Sequence, residues 1–235
     1  MKKLLTLILI TACVAGSAQH TIEVKHSYYT MLYDTVQYAE LIGFYVQSKD
    51  HYNQSLQTKI DRSTVAAFKQ DPLILPRYQV ANDLQYTTWN KAHPDKKRDR
   101  GHVNPYTAFD FDLTAAKESM YFTNTCPQVS FFNEHQWEQV EMYVLKTVCP
   151  TYGDVKVWTG VLISTNHPKM MNNVPEPDYY WKVIEYVKGG QAIQEAWLGP
   201  NDESNTSTKS TDIVSTPDKV KTVMLQYYPN IKIPF

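Results

Sequence analysis

Between Asn133 and Val148 the apolar residues Trp137, Val140, Val144, Leu145 and Val148 recur at helical spacing, which predicts an amphipathic helix over this stretch. Two polar residues stand out in it, Asn133 and Glu141, eight positions apart. Eight residues are roughly 12 Å along a helix axis at 1.5 Å per residue, too far for two short side chains to grip one ion. One of them would be a direct ligand and the other would act through water. Magnesium suits that division, because it keeps several of its waters. Asn133 is the candidate ligand and Glu141 the candidate water-holder. Taken alone, Asn133 is an ordinary helix cap and Glu141 a surface charge. Glu141, however, lies beside Trp137 and Val140 on the apolar side, where an unpaired carboxylate is costly.

Upstream runs Asp99-Arg100-Gly101-His102. Cutting a phosphodiester calls for a base to activate water, a cation for the developing oxyanion and donors to hold the phosphate. A neutral imidazole such as that of His102 accepts a proton near physiological pH. Arg100 can fork onto phosphate oxygens through parallel hydrogen bonds. Gly101 allows a close approach that a Cβ would resist. Alone, His102 would more often be a hydrogen-bonded structural histidine. His93 and His135 lie near these motifs and are given no role.

Together these stretches resemble the DNA/RNA non-specific endonucleases of the ββα-metal superfamily. The matching pieces are DRGH at Asp99 to His102, NTCPQ at Asn124 to Gln128, FNEHQW at Phe132 to Trp137, and VE at Val140 and Glu141. WTGV at Trp158 to Val161, YYWKV at Tyr179 to Val183 and AWLGPN at Ala196 to Asn201 resemble the later core strands. The resemblance implies a catalytic set in which His102 is the general base and Arg100 engages substrate phosphate. Asn124 orients the site, and Glu141 holds metal-bound water. Asn133 would be the single protein ligand to Mg2+, with Mn2+ as an alternative. It also implies cleavage to 5′-phosphate ends and an α+β fold, a mixed or antiparallel central sheet flanked by helices. Two departures are visible. Leu145 stands where relatives often carry an arginine, one turn beyond the glutamate, and Met120 where some carry another asparagine.

The implied partners are DNA and RNA, with no organic cofactor. Two rival readings are a metal-dependent phosphodiesterase acting on nucleotides or small diesters, and an exported nucleic-acid-binding protein without activity. The formal charge of −1 gives no global cationic field of the kind many nucleic-acid binders carry. The local balance differs, because Lys91, Lys96, Lys97, Arg98 and Arg100 crowd the approach to His102.

With 235 residues, 43% hydrophobic, the chain is long enough to bury a core, and one domain is expected. Lys2 and Lys3 precede an apolar run from Leu4 to Ile10 and then Gly16-Ser17-Ala18, the pattern of an export signal over 1–18. That run is too short to span a bilayer, so no transmembrane segment is expected. Cleavage leaves 19–235 as a single endonuclease domain, periplasmic or secreted, with its charge moved from −1 to −3 by loss of the two lysines. Ile10-Thr11-Ala12-Cys13 resembles a lipobox, so lipidation at Cys13 is the competing reading. Export would leave Cys126 and Cys149, an even pair that invites a disulfide in an oxidising compartment. The helix between them separates its ends by roughly 20 Å, so a bridge requires the loop carrying Cys126 to run back along it.

Along the chain, His20 to Gln37 reads as an irregular lead-in, Glu40 to Gln47 as a buried strand and Lys49 to Gln57 as a polar linker. Asp71-Pro72 and Leu75-Pro76 mark a wrapping loop between Arg62 and Gln85. A short helix capped by Asp112 or Thr114 is expected before Met120, then a short strand over Tyr121 to Thr123. Val155 to Ile163 reads as a central strand and Pro168 to Asp178 as a proline-containing loop. Gly189-Gly190 joins two strands into a hairpin, and Thr216-Pro217 opens a last helix.

Overall fold

The computed structural model describes residues 20–65, 67–164, 169–170 and 174–235. The export signal over 1–18, the lipobox at Cys13, and Pro168 with 171–173 of the proline-containing loop lie outside the described residues. Seven strands form one antiparallel sheet. They are β1 (Thr21–Lys25), β2 (Tyr29–Asp34), β3 (Ala39–Gln47), β6 (Val155–Leu162), β9 (Tyr179–Lys188), β10 (Gln191–Pro200) and β11 (Val214–Ser215), side by side in that order. A separate two-stranded ribbon pairs β4 (Arg98–His102) with β5 (Thr125–Val129), and a two-residue pair joins β7 (Lys169–Met170) to β8 (Val174–Pro175). The helices are α1 (Lys49–Thr58), α2 (Leu84–Ala92), α3 (Leu113–Ser119), a long α4 over 130–152, and α5 (Pro217–Tyr227). The fold is α+β, as expected.

The central strands are buried on both faces and rich in β-branched and aromatic residues. Val157, Val161 and Leu162 of β6 and Trp181, Val183 and Ile184 of β9 are all fully buried. Helix α4 packs its apolar stripe, Phe132, Trp137, Val140, Val144 and Val148, into the same core. Trp137 meets Tyr180 edge-on at 5.7 Å between ring centroids. Gly189 and Gly190 take positive φ (59° and 80°), the backbone a two-residue hairpin turn between β9 and β10 demands. Thr216 caps α5 by accepting from the Lys219 backbone N–H, and Asp112 caps α3.

Several local expectations are corrected. The lead-in is not irregular: Tyr29, Met31 and Tyr33 alternate inward with less buried neighbours, the period of a strand, and form β2. The polar stretch after Ser48 is helical although none of its residues is buried. Its hold is local: Ser48 caps it, Asp154 accepts from the Lys49 backbone N–H, and Gln54 donates to Phe111 O. Asn124 is delivered by a 3-10 turn, Phe122–Asn124, instead of a strand. Cys126 and Cys149 are free and buried, each a small apolar filler of the core.

Candidate active site

Ribbon β4–β5 runs straight into α4, and this ββα unit carries the motif residues. Asp99 pairs with Gln128 and His102 with Thr125 in register. Gly101 is required by packing: a Cβ there would come within 2.1 Å of Gln128 Oε1 and 2.6 Å of Gln128 Cβ. Asp99 ties the ribbon to the helix. One of its carboxylate oxygens accepts from Ser130 Oγ at 2.8 Å and the other from Asn133 Nδ2 at 2.8 Å. Asn133 has helical backbone angles (φ −59°, ψ −51°), so it is part of the helix and not its cap. With Nδ2 held by Asp99, its Oδ1 is oriented and free to serve as an oxygen ligand.

Helix α4 widens at that point. Residues Asn133–Trp137 form a π-type turn, closed by the Glu138 backbone N–H donating to Asn133 O. In a regular helix, Glu141 would lie about 80° around the axis from Asn133. A wider turn advances fewer degrees per residue, so it brings Glu141 back toward the Asn133 side.

His102 lies at the far end of β4, roughly 10 Å along the strand from Asp99 at about 3.3 Å per residue. Its Nε2 is buried with no hydrogen-bond partner among the described residues. The Phe68 ring packs on the imidazole at 5.1 Å, and the guanidinium of Arg100 lies 5.1 Å and that of Arg62 5.6 Å from the Phe68 centroid. Burial, then Arg62, then Arg100 push the His102 pKa down to about 3. The ring is therefore a neutral acceptor at physiological pH. Arg100 is ion-paired with Asp83, just before α2.

Asn124 does not face the reacting groups. It is fully buried, and its amide is used up: Oδ1 accepts from the Asn104 backbone N–H and Asn104 Nδ2, and Nδ2 donates to Asn104 O and Ser119 O. The Val103 backbone N–H donates to Asn124 O at 2.9 Å. Asn124 thus clamps the chain just after His102 and positions it. Behind it, Glu40 on β3 accepts from Asn104 Nδ2 at 2.7 Å, and burial holds its carboxyl well above the usual range.

Glu141 meets a different partner. Its side chain is 16% exposed and its carboxylate lies 3.9 Å from Nζ of the fully buried Lys182 on β9. Burial raises the Glu141 pKa, and the lysine charge opposes that shift. Of the basic approach, Lys91, Lys96 and Lys97 are exposed, whereas Arg98 is buried and ion-paired with Glu176 and Glu203. His93 and His135 stack on Trp89 and Phe131, each with Nδ1 at the carbonyl four residues back.

Sequence reasoning missed Arg62, Phe68 and Asp83, which reach the site from the wrapping segment and carry no local signal of it. It also left Asp99 and Asn201 without roles. Asn201 braces β5 by accepting from the Val129 backbone N–H and donating to Pro127 O.

A sequence model of the DNA/RNA non-specific endonuclease family matches residues 11–227. Bovine mitochondrial endonuclease G is 29% identical over 115 residues, 44% of this chain and 38% of its own length. Mitochondrial nuclease 1 of Schizosaccharomyces pombe is 31% identical over 110 residues, 40% of this chain and 33% of its own. These alignments span about a third of the relatives' own length. Among solved structures, a chain from the crystal structure of the EndoG/EndoGI complex, a study of EndoG inhibition, superposes with a TM-score of 0.72. It is 23% identical, with 86% of this chain and 83% of that one covered, which is a likeness of fold.

Proposed function

The chain belongs to the DNA/RNA non-specific endonuclease family, and from that premise we propose that it hydrolyses phosphodiester bonds of DNA and RNA with little sequence preference. One observation carries the reading: a neutral imidazole with an unpartnered nitrogen shares its strand with the Asp99 that orients the Asn133 amide. His102 accepts the proton of the water that attacks phosphorus, and the 3′ oxygen leaves, so the product carries a 5′-phosphate. Arg62 and Arg100 hold the non-bridging oxygens; for Arg100 this means exchanging Asp83 for phosphate.

Asn133 Oδ1 would hold a divalent cation and Glu141 would accept from its waters. The donors fit Mg2+, with Mn2+ as an alternative: both are oxygens, and no group of three or more His, Cys, Asp or Glu gathers into a metal cage among the described residues. When bound, the cation supplies positive charge for the leaving oxygen. Asn124 and Asp99 act through others, by fixing His102 and Asn133. We read Lys2, Lys3 and the following apolar run as an export signal, checked by fractionating producing cells.

The experiment is a nicking assay on plasmid DNA and a digest of RNA, with Mg2+ or with EDTA, comparing wild type and His102→Ala. Cleavage of both polymers that EDTA stops and His102→Ala abolishes is the expected result. A folded wild-type protein that cuts neither, or an active His102→Ala, overturns the assignment.

A further inference from the structure

Lys182 interrupts the apolar run Tyr180, Trp181, Val183, Ile184 in the middle of a strand buried on both sides. An ammonium there is expensive unless something charged answers it. Its Nζ finds no hydrogen-bond acceptor among the described residues. The Trp137 ring lies 5.1 Å away. The carboxylate in reach is Glu141, at 3.9 Å. On the neighbouring strand its register partner is Thr159, whose hydroxyl is committed to Val103 O and Trp181 O. Register partners share a face of the sheet, and Val103 follows His102. Lys182 therefore projects from the sheet face that supports the catalytic strand, under α4. On α4 itself the position one turn beyond Glu141 is Leu145, so the helix offers no cation there.

We infer that Lys182 is a positioning residue of the active site: from 3.9 Å it holds the Glu141 carboxylate in place under α4, so that the carboxylate can accept from the waters of the bound cation. The claim rests on the role given above to Glu141. A purely structural lysine would need no acidic partner from the one helix that carries Asn133, and an apolar residue of its size would fill the same space. The wide turn at Asn133–Trp137 and the contact with Lys182 both bear on where the Glu141 carboxylate lies.

The test uses the full chain and Mg2+ alone as ligand. Lys182→Met keeps the volume of the stem and removes the charge. It is expected to unfold cooperatively like wild type but to bind Mg2+ about tenfold more weakly by calorimetry without substrate. The acidic limb of its pH–rate profile should move to higher pH, because a buried carboxylate without its cation takes up a proton sooner. Adding Lys182→Met to Glu141→Gln should weaken Mg2+ binding no further, since the lysine acts through Glu141. A folded Lys182→Met with wild-type Mg2+ affinity and an unmoved pH profile overturns the inference. If that variant does not fold, the Lys182 Nζ resonance decides in wild type and Glu141→Gln. A large change in its titration supports the pairing, and indifference to the substitution sinks it. A wild type that binds Mg2+ yet cuts no nucleic acid, with Lys182→Met binding weakly, would leave this inference standing and refute the nuclease reading alone.

Discussion

The Asn133 carboxamide donates its Nδ2 proton to Asp99 at 2.8 Å, and that bond decides which atom of the amide remains for a cation. An asparagine free to flip would present its NH2 group half the time; one tethered through Nδ2 presents Oδ1 only. Asp99 is thus to Asn133 what an outer carboxylate is to a metal-binding histidine. Asp99→Ala is expected to leave the fold intact and to weaken activation by Mg2+ by about 10- to 100-fold, the usual cost of losing an outer partner. The check is the Mg2+ concentration giving half-maximal nicking. Unchanged activation would show that the helix alone orients Asn133.

Gly101 is a packing glycine, not a turn glycine: it has no positive φ, and what forbids a side chain is the buried Gln128 across the ribbon. Gly101→Ala should destabilise the protein by about 1–3 kcal/mol, the range for forcing an extra methyl into a filled site. Urea denaturation measures it. Pairing it with Gln128→Ala should recover part of the loss, because the clash is with that side chain. Full additivity of the two substitutions would rule out this account.

Cys126 lies on β5, before the helical run spanning 130–152, Cys149 lies in the last turn of that run, and both are free. Peptide mapping after alkylation in denaturant without reductant should recover each of them separately alkylated. Burial raises both thiols, Cys149 to about 11, so neither should react with a thiol reagent in the folded protein near neutral pH. A linked Cys126–Cys149 peptide is the contrary result.

What the sequence revealed and what it hid divide along a physical line. Residues whose role is written in local spacing were legible: the stripe of α4, the Gly189-Gly190 hairpin, the Thr216-Pro217 helix start, and the motif strand beside them. Residues brought in from far along the chain were not. Arg62 and Phe68 lie more than thirty positions before His102 in a segment with little regular structure, and only tertiary packing sets them against the ribbon. The Lys182 partner of Glu141 was hidden for the same reason, although the cost of an unpaired carboxylate beside Trp137 pointed to some partner. Helix α1 was missed because it lacks an apolar face, so the signal that finds other helices is absent from it.

The pH dependence separates the two titratable groups of the proposed mechanism. His102 is lowered to about 3 by burial, then Arg62, then Arg100. It is neutral, and so competent as a base, from about pH 5 upward, one to two units below the range where an ordinary histidine loses its proton. Its protonation therefore should not produce an acidic limb in kcat/KM near neutrality. Glu141 shifts the other way, raised by burial against the opposing charge of Lys182, and must be ionised to accept from metal-bound water. Activity should accordingly be lost as pH falls, along an acidic limb that lies above the usual carboxylate range, and Glu141→Gln should remove that limb along with most of the rate. Arg62→Ala removes the larger of the two positive charges that act on His102, so the imidazole pKa should rise above about 3 while burial still holds it below the ordinary value of about 6.5. NMR titration of the His102 ring in wild type and Arg62→Ala reads this directly. In the same variant kcat/KM should drop by about 10²-fold, as for loss of one charged phosphate donor, and a new acidic limb belonging to His102 should appear. A His102 ring that titrates at the same pH in both proteins would mean that burial under Phe68, and not the arginine pair, keeps the base neutral.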